Sequence, residues 1–322
     1  MKKLCICIPT YKRPECIEHI LSTSLEWAKE YDVDYYICDT SSTNETKDVI
    51  DAYKDSYGSH LKYRRLVDYK DKTTDLKVAE CFRELVDYYE YIHLCGDGLV
   101  LQLSEYFTLL DGALEEGYDI IHFNPALQDE KKQCSCGLEF AKENGWYATY
   151  YGATTTSSRL IKKANYDSLL DNLRNTGFMY WFGMLSTVAS DDEKIIAFNT
   201  FPLTNNPYKP TNSSYQPGKF IKFWVKGWTK VIDALPEYYD DIKPQLKQDM
   251  GIHGHLYSFS NLLRLRLSDN LGWSQVRGLK SQFKQATDTP YYLISLVSLT
   301  PKSVIRCGMK AKKKLRELVK GR

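Results

Sequence analysis

The chain has 322 residues, of which 43% are hydrophobic and 26% are charged, and this is enough apolar material for one large core or two modest ones. Its formal net charge of +2 excludes the broad basic surface of a nucleic-acid-binding protein, so we expect no nucleic acid among its partners. The nine cysteines are an odd number without framework spacing, which favours a reducing compartment. Several of them, Cys5, Cys7, Cys38 and Cys95, fall within apolar runs and are predicted to be small buried hydrophobes.

The chain gives no sign of a membrane span or a signal peptide. The longest apolar runs fall short of the ~18–20 residues that cross a bilayer. Met1, Lys2 and Lys3 lead directly into a strand pattern rather than a long apolar segment. We therefore predict a cytoplasmic or peripheral protein.

Strand and helix patterns alternate from residue 3 to about residue 125. Short apolar runs predict strands over residues 3–9, 33–39, 61–67, 90–95 and 118–123. Apolar residues at helical spacing predict helices over residues 14–29, 44–56, 75–89 and 103–116, the last of which ends at Gly117. This alternation predicts an α/β fold with a mostly parallel sheet flanked by helices.

The remainder of the chain is less regular. A strand is predicted over residues 146–152, a helix over 158–173, and a loop rich in proline, asparagine and serine over 200–217. The helical pattern resumes after this loop and predicts helices over residues 218–233, 237–250, 252–268 and 274–286. We place a boundary near residue 215, followed by a mainly helical region over residues 216–322.

Polar residues follow the first predicted strand, where ligands of a parallel sheet bind. Pro9 and Thr10 are followed by Tyr11, whose ring suits stacking on a base, and by Lys12 and Arg13, which suit a phosphate. An ordinary turn with surface cations has the same composition. The segment lacks the glycine pattern Gly-x-Gly-x-x-Gly, which argues against a dinucleotide oxidoreductase.

Carboxylates follow two further strands. Asp39 can accept a hydrogen bond from a base, or it can cap the next helix. Asp97 lies between Gly96 and Gly98, which permit close backbone approach, and its carboxylate can meet a divalent cation or belong to a plain acidic turn. Because carboxyl ends of parallel strands meet at one edge, Tyr11, Asp39 and Asp97 are predicted to converge on one site.

In these motifs the chain resembles family 2 glycosyltransferases of the GT-A (Rossmann-like) fold, found in bacterial capsule, exopolysaccharide and cell-wall glycan synthesis. The likeness covers residues 3–125 well and 145–200 loosely. The segments that carry it are residues 8–13 (IPTYKR), 36–42 (YICDTSS), 75–79 (DLKVA) and 91–97 (YIHLCGD). The resemblance implies a glycosyltransferase domain over residues 1–215, with nucleotide-sugar binding in 1–125 and the acceptor side in 126–215.

The resemblance also implies roles for single residues. Those implied to bind the donor are Pro9, Thr10, Tyr11, Arg13, Asp39, Asp75, Lys77 and Asp97. Asp39 would read the base, Asp75 and Lys77 would lie beside the ribose and diphosphate, and Asp97 would hold Mn²⁺ or Mg²⁺ at the family's Asp-x-Asp position. Gly98 and Leu99 follow Asp97 where the family has further acids, so metal affinity should be lower than is usual for the family.

The implied reaction is inverting transfer of a sugar from a nucleotide-sugar, a UDP-hexose, to a saccharide or lipid-linked saccharide. Asp191 is the nominated general base, although three adjacent acids also suit a solvated turn. Tyr180 and Trp181 suit a sugar-stacking platform or a plain core, and His253 and His255 are candidate phosphate contacts. The alternative is a catalytically silent relative that binds nucleotide-sugar or glycan as a subunit.

Residues 302–322 form a basic tail with a partial apolar stripe, beside the apolar segment 291–299. A cationic amphipathic segment of this kind predicts association with the anionic inner face of the cell membrane, while a solvated basic helix is the alternative. The sequence leaves the sugar, the linkage and homo-oligomer formation open.

Overall fold

The computed structural model describes residues 2–69, 74–124, 130–134, 137–143, 153–163, 194–200, 202–208, 220–252 and 255–320. The chain divides into two compact units. Unit 1 contains Met1–Ser213 and Leu235–Tyr239, and unit 2 contains Ser214–Ala234 and Asp240–Arg322. The functional division into residues 1–125 and 126–215 stays a prediction.

Unit 1 is built around one large sheet. Its strands are β1 (Lys2–Thr10), β2 (Asp34–Asp39), β3 (Leu61–Arg65), β4 (Tyr89–Leu94), β5 (Leu99–Leu101), β6 (Ile120–Phe123), β7 (Lys131–Cys134), β8 (Ala153–Ser157), β9 (Ile195–Phe198) and β10 (Leu203–Asn205). In the described residues, eight of these form the sheet, in the order β3-β2-β1-β4-β8-β6-β9-β7, while β5 pairs with β10.

Most strands of the large sheet run in one direction. β1 pairs in parallel with β2 and β4, β2 with β3, and β6 with β9. β8 lies antiparallel between β4 and β6, and β7 is antiparallel to β9 at the far edge. This arrangement confirms the predicted α/β class with a mostly parallel sheet.

Helices accompany the strands of unit 1. They are α1 (Pro14–Glu30), α2 (Glu45–Tyr57), α3 (Thr74–Leu85), α4 (Leu103–Glu115), α5 (residues 137–143) and α6 (Ser158–Lys163). A short 3₁₀ turn covers Val67–Tyr69. α3 ends before its predicted limit because Tyr89 already pairs with Lys2 as the first residue of β4. Gly117, with φ of 72°, follows α4 in the left-handed conformation that ends many helices.

The core of unit 1 lies between α1, α4 and the sheet. Pro14 occupies the start of α1, where its fixed φ suits the first turn and its missing N–H has no intrahelical partner to lose. The apolar face of α1 is buried as its spacing predicts, with Ile17, Ile20, Leu21, Leu25 and Ala28 all inside. Burial of each larger side chain contributes roughly 1.5–3 kcal/mol.

The described cysteines are free thiols, and all of them except Cys307 are buried. This confirms the prediction that Cys5, Cys7, Cys38 and Cys95 act as small hydrophobes in the sheet.

Five short strands were absent from the sequence prediction, namely β5, β7, β8, β9 and β10. β5 and β10 have three residues each, and β10 lies within the segment predicted as a loop. Strands this short show no usable hydrophobic period, so only their partner identifies them. β7 is largely polar and exposed, in keeping with its place at the sheet edge. The strand predicted over residues 146–152 lies outside the described residues.

Unit 2 is helical in its described part, as predicted. A π-helical turn (Ile221–Gly227) leads into α7 (Trp228–Asp233), followed by α8 (Lys243–Ile252), α9 (Phe259–Leu267), α10 (Trp273–Val276), α11 (Lys280–Ala286), α12 (Tyr291–Leu299) and α13 (Lys302–Lys320). The helix predicted over residues 274–286 is divided, because Gly278 adopts a φ of 81° between α10 and α11. Buried Trp224, Trp228 and Leu262 contribute to the core of this unit.

Among the helices that the structure describes, none combines the length and the apolar character needed to pass through a bilayer.

Candidate active site

The order of strands locates the most favourable ligand site of unit 1. From β1 the chain adds β2 and β3 on one side and then returns to place β4 on the other side of β1. Loops at the carboxyl ends of β1 and β4 therefore diverge and leave a crevice at this switch point. We call the edge formed by residues 10–13, 39–41, 77 and 95–98 the switch-point crevice.

The segment after β1 is held in an uncommon backbone conformation. Lys12 has a φ of 53°, in the left-handed region that non-glycine residues rarely adopt. Its backbone N–H donates to Ser41 Oγ over 2.7 Å, which ties this turn to the end of β2. Such a conformation persists only where its surroundings fix it, and residues of this kind cluster at active sites and ligand clamps.

Asp97 is the centre of a buried polar cluster. The Thr10 hydroxyl donates to Asp97 Oδ2 over 2.9 Å, and Arg13 Nη1 lies 2.6 Å from Asp97 Oδ1. The Asp97 side chain is 9% exposed and that of Arg13 is 29% exposed, so the ion pair lies mostly out of water. Thr10, Arg13 and Asp97, predicted to share a site, are in direct contact.

Asn206 anchors the backbone of this cluster and was not predicted from the sequence. Its side-chain Nδ2 donates to the carbonyl of Asp97 over 3.2 Å and to that of Cys16 over 2.9 Å. Its backbone N–H donates to the carbonyl of Gly98 over 3.0 Å. The side chain thus fixes the loop after β4 against α1. More than a hundred residues separate Asn206 from Asp97 in the chain, and only the pairing of β5 with β10 brings them together.

Asp39 lies at the carboxyl end of β2, as predicted, but its side chain is fully buried. Oδ1 accepts hydrogen bonds from Ser41 N over 2.8 Å and from Ser41 Oγ over 2.6 Å, and Oδ2 accepts one from the Tyr63 hydroxyl over 3.1 Å. Burial and the Asp39 carboxylate raise the pKa of Tyr63, so its hydroxyl stays protonated as a donor. In this arrangement Asp39 fixes the turn after β2, and contact with a base stays a prediction.

Tyr11 and two lysines form the accessible wall of the crevice. The Tyr11 ring is 42% exposed. Lys12 Nζ lies 5.3 Å from its centroid and Lys77 Nζ lies 5.1 Å from it, both within the range of cation–π attraction. Lys77 Nζ also donates to Thr40 Oγ1 over 3.0 Å. An exposed aromatic face beside two ammonium groups suits a planar base joined to an anionic group.

The remaining predicted residues are placed as follows. Pro9 lies near the end of β1 opposite Cys38, and Asp75 belongs to the first turn of α3. His255 is exposed in unit 2, with a φ of 50°, and its carbonyl accepts a hydrogen bond from Ser258 N before α9. The predictions for Tyr180, Trp181, Asp191 and His253, and for the side chain of Asp75, lie outside the described residues.

The residues around Asp97 are a poor fit to a divalent cation. A hard cation takes six or more oxygen ligands and relies on carboxylates to offset its charge. Here the only carboxylate of the motif is already bonded by a guanidinium and a hydroxyl, and Gly98 and Leu99 add no oxygen side chain. In the part of the chain that the structure describes, no three His, Cys, Asp or Glu side chains are grouped as metal ligands.

Comparisons with known proteins agree with the fold of unit 1 and include the segments that follow β1 and β2. The family model "Glycosyl transferase family 2" matches residues 5–72, which include Tyr11 and Asp39 but not Asp97. The abequosyltransferase RfbV of Salmonella typhimurium is 38% identical over 61 residues, which cover 18% of this chain and 18% of that protein. The chain thus aligns with less than a fifth of that relative's length.

Solved structures of S. aureus TarS share the fold. Its fragment 1–349 superposes with a TM-score of 0.55 at 10% identity, covering 92% of this chain and 90% of that one. The same fragment in complex with UDP gives a TM-score of 0.54 at 10% identity over the same shares. A longer TarS structure superposes with a TM-score of 0.55 at 13% identity, covering 89% of this chain and 49% of that chain.

The matched motifs of β1 and β2, the related transferase segment and the shared sheet architecture lead to one conclusion: residues 5–72 are similar to glycosyltransferase family 2, and the chain has the GT-A fold.

Proposed function

We propose that the protein is an inverting glycosyltransferase that transfers a hexose from a UDP-hexose donor to a saccharide or lipid-linked saccharide acceptor, with release of UDP, in the synthesis of a surface glycan such as a capsule. The observation that carries the proposal is the meeting of Tyr11, Lys77 and the Arg13–Asp97 pair at the switch-point crevice. The UDP complex of TarS, which shares the fold, supports UDP as the nucleotide.

Donor binding at this edge follows from the chemistry of its side chains. The half-exposed face of Tyr11 offers a stacking surface for the base. The ammonium groups of Lys12 and Lys77, beside the same ring, offer charge to the diphosphate. The buried Thr10, Arg13 and Asp97 cluster keeps the two loops that carry these groups in place.

The transfer step needs charge stabilisation and a base. As the bond from the anomeric carbon to the diphosphate breaks, negative charge grows on the leaving group, and positioned cations stabilise it. The acceptor hydroxyl attacks from the opposite face and gives its proton to a carboxylate. Asp191 remains the proposed base, with Tyr180 and Trp181 as the proposed acceptor platform.

A divalent metal is part of many reactions of this kind, and the resemblance implies Mn²⁺ or Mg²⁺ at Asp97. Because the residues around Asp97 are a poor fit to such an ion, the proposal assigns no step to a metal. The positive charge that the leaving diphosphate meets is assigned to Lys77 and Lys12, since Arg13 is paired with Asp97.

The place of action is proposed to be the inner face of the cell membrane. α13 carries exposed Arg306 and Lys310 and continues into the basic sequence that ends the chain as given. Basic residues near an anionic leaflet are each attracted by about 1 kcal/mol, which favours a peripheral enzyme close to lipid-linked acceptors.

A catalytically silent relative is the second candidate. It is favoured by Gly98 and Leu99, which stand where the family has acids. Such a protein would bind nucleotide-sugar or glycan as a subunit and transfer nothing.

Release of UDP from a panel of UDP-sugars, with and without saccharide acceptors, tests the proposal. We expect turnover with one donor, and we expect Lys77→Met to reduce it by more than tenfold. Lys131→Met is the matched control, because Lys131 Nζ lies 6.0 Å from the Phe198 ring, away from the switch-point crevice. UDP binding without turnover for any donor would identify the silent relative, and absence of UDP binding would refute the transferase.

A further inference from the structure

Unit 2 contains an open groove of about 770 Å³, formed by α11, α12 and the turn between them. Its wall on α12 is apolar and includes Tyr292, Leu296 and Leu299. These side chains are 69%, 60% and 56% exposed, respectively. Three large and largely exposed apolar residues that share one groove make it a candidate binding face.

The exposed residues form a continuous stripe. Positions 292, 296 and 299 follow the spacing of residues on one face of a helix, and the stripe extends for roughly 10 Å along α12. The opposite face packs into unit 2 through Ile294 and Val297. α12 is therefore apolar on both faces, although only one of them is covered by unit 2.

Cations accompany the stripe. Lys280 and Lys284 line the same groove and lie one turn apart on α11, against a single lining carboxylate, Asp288. α13 begins directly after α12 and exposes Arg306 and Lys310. It also exposes the apolar side chains of Val304 and Met309, at 58% and 46%.

We infer that this groove binds an anionic phospholipid of the bilayer, with an acyl chain on the α12 stripe and the phosphate at Lys280 and Lys284. A tyrosine at the rim suits the boundary between headgroups and acyl chains. The charge complementarity selects an anionic lipid over a neutral one. The inference deepens the proposed membrane association, because it adds a defined lipid site to the attraction of the basic tail.

Sedimentation of the full chain with phospholipid vesicles tests the inference. One set contains phosphatidylcholine alone, and the other contains phosphatidylcholine with about a third phosphatidylglycerol. We expect at least tenfold tighter binding to the anionic vesicles. Leu296→Glu with Leu299→Glu should reduce that binding about tenfold or more, since it places charge where apolar surface must leave water.

Three further variants separate this site from other causes. Lys280→Gln with Lys284→Gln should weaken binding to anionic vesicles by about fivefold per lysine. Tyr88→Glu, at a position that is 68% exposed in unit 1, controls for added surface charge and should bind as the native chain does. Lys312→Gln, Lys313→Gln and Lys314→Gln together test the basic tail. Thermal melting checks that each variant is folded, which is expected because the changed side chains of the groove are on the surface.

The outcomes distinguish this inference from the proposed function. Unchanged vesicle binding by Leu296→Glu with Leu299→Glu, combined with loss in the tail variant, would overturn the lipid site and leave tail attraction in place. No vesicle binding by a native chain that still transfers sugar would overturn the site and leave the transferase. A native dimer that Leu296→Glu with Leu299→Glu converts to monomer, without vesicle binding, would show that a second copy covers the stripe and would also overturn the inference.

Discussion

β4 and the loop that follows it carry two buried polar side chains, and they differ in what surrounds them. His93 lies inside the sheet, where Nδ1 is 2.9 Å from Thr155 Oγ1 and the ring meets that of Tyr106 edge-on. Burial lowers the pKa of His93 to about 3, so the ring is neutral. Asp97, four residues later, is bonded by the guanidinium of Arg13 and by Thr10 at the edge of the sheet.

The comparison teaches that a buried polar residue is not by itself a sign of function. His93 has neutral partners, and its Nε2 atom is without a hydrogen-bond partner among the described residues. Asp97 has a cationic partner, lies at a topological switch point and contacts Thr10, the residue that precedes the exposed Tyr11 in the chain. We therefore assign His93 to the stability of the sheet and Asp97 to the order of the proposed donor pocket.

The largest expected effect is on transfer after Asp97→Ala. Loss of this carboxylate frees Arg13 and the loop after β1, and misplacement of about 1 Å in such a site costs on the order of 100-fold in rate. Steady-state UDP release measures it. The matched control is Asp119→Ala, which removes an equally short ion pair, 2.6 Å to Arg159, with a carboxylate that is also 9% exposed. Asp119 precedes β6 at the opposite edge of the sheet. Equal rate losses in the two variants would contradict the assignment of Asp97.

The next effect concerns the interior of β4 and the pH dependence of folding. Because the pKa of His93 falls from 6.5 to about 3 on folding, the unfolded chain binds more protons between these values. The contribution of neutral His93 to the free energy of unfolding is complete above pH ~6.5 and is lost as pH falls toward 3. Between pH 7 and pH 5, we expect the titration of His93 to lower the free energy of unfolding by about 2 kcal/mol.

Urea unfolding at the two pH values measures this effect. His93→Leu should remove the part of the pH dependence that comes from His93. His19 is partly exposed, and His19→Leu should leave the pH dependence unchanged. The same His93→Leu protein should transfer sugar at close to the native rate at pH 7. A pH dependence that is unchanged in His93→Leu would show that the ring is not the titrating group.

A smaller effect is expected from Tyr11→Ala. Stacking of a base on an aromatic ring is worth about 1–3 kcal/mol, so the dissociation constant of UDP should rise by about tenfold. Tyr88→Ala removes a more exposed tyrosine, at 68%, and should leave UDP affinity unchanged. Fluorescence titration with UDP compares the two. Equal affinity for Tyr11→Ala and the native chain would place the base elsewhere.

The smallest effect should follow removal of divalent cations. Because the Asp97 carboxylate already carries Arg13 as its counter-charge, EDTA should change UDP affinity by less than about twofold. Calorimetric titration with EDTA and with Mn²⁺ compares the two conditions. A tenfold loss in EDTA would show that a metal joins the site despite the ion pair.

The sequence predicted the parts of this molecule in which local pattern and topology act together. The alternation of strands and helices from β1 to α4 follows from hydrophobic period, and the direction of the parallel strands then places Thr10, Asp39 and Asp97 at one edge. The buried face of α1 follows for the same reason. Neither conclusion depended on the contact of distant side chains.

The rest depended on such contacts. The hydrogen bond from Tyr63 to Asp39 and the anchoring of Asp97 by Asn206 join segments that no local pattern relates. β5 and β10 are too short to show a period. The exposed stripe of α12 has the same composition as a buried helix, so only its packing reveals that one face is uncovered.

Calorimetric titration of UDP into the native chain and into a Tyr11→Ala, Lys77→Met double variant tests the donor pocket most directly. The double variant Tyr88→Ala, Lys131→Met supplies the control, since it removes the same two side-chain types away from the switch-point crevice. We predict saturable binding to the native and control proteins and at least tenfold weaker binding to the pocket variant. Equal affinity in all three proteins, or no binding to the native chain, would contradict the account.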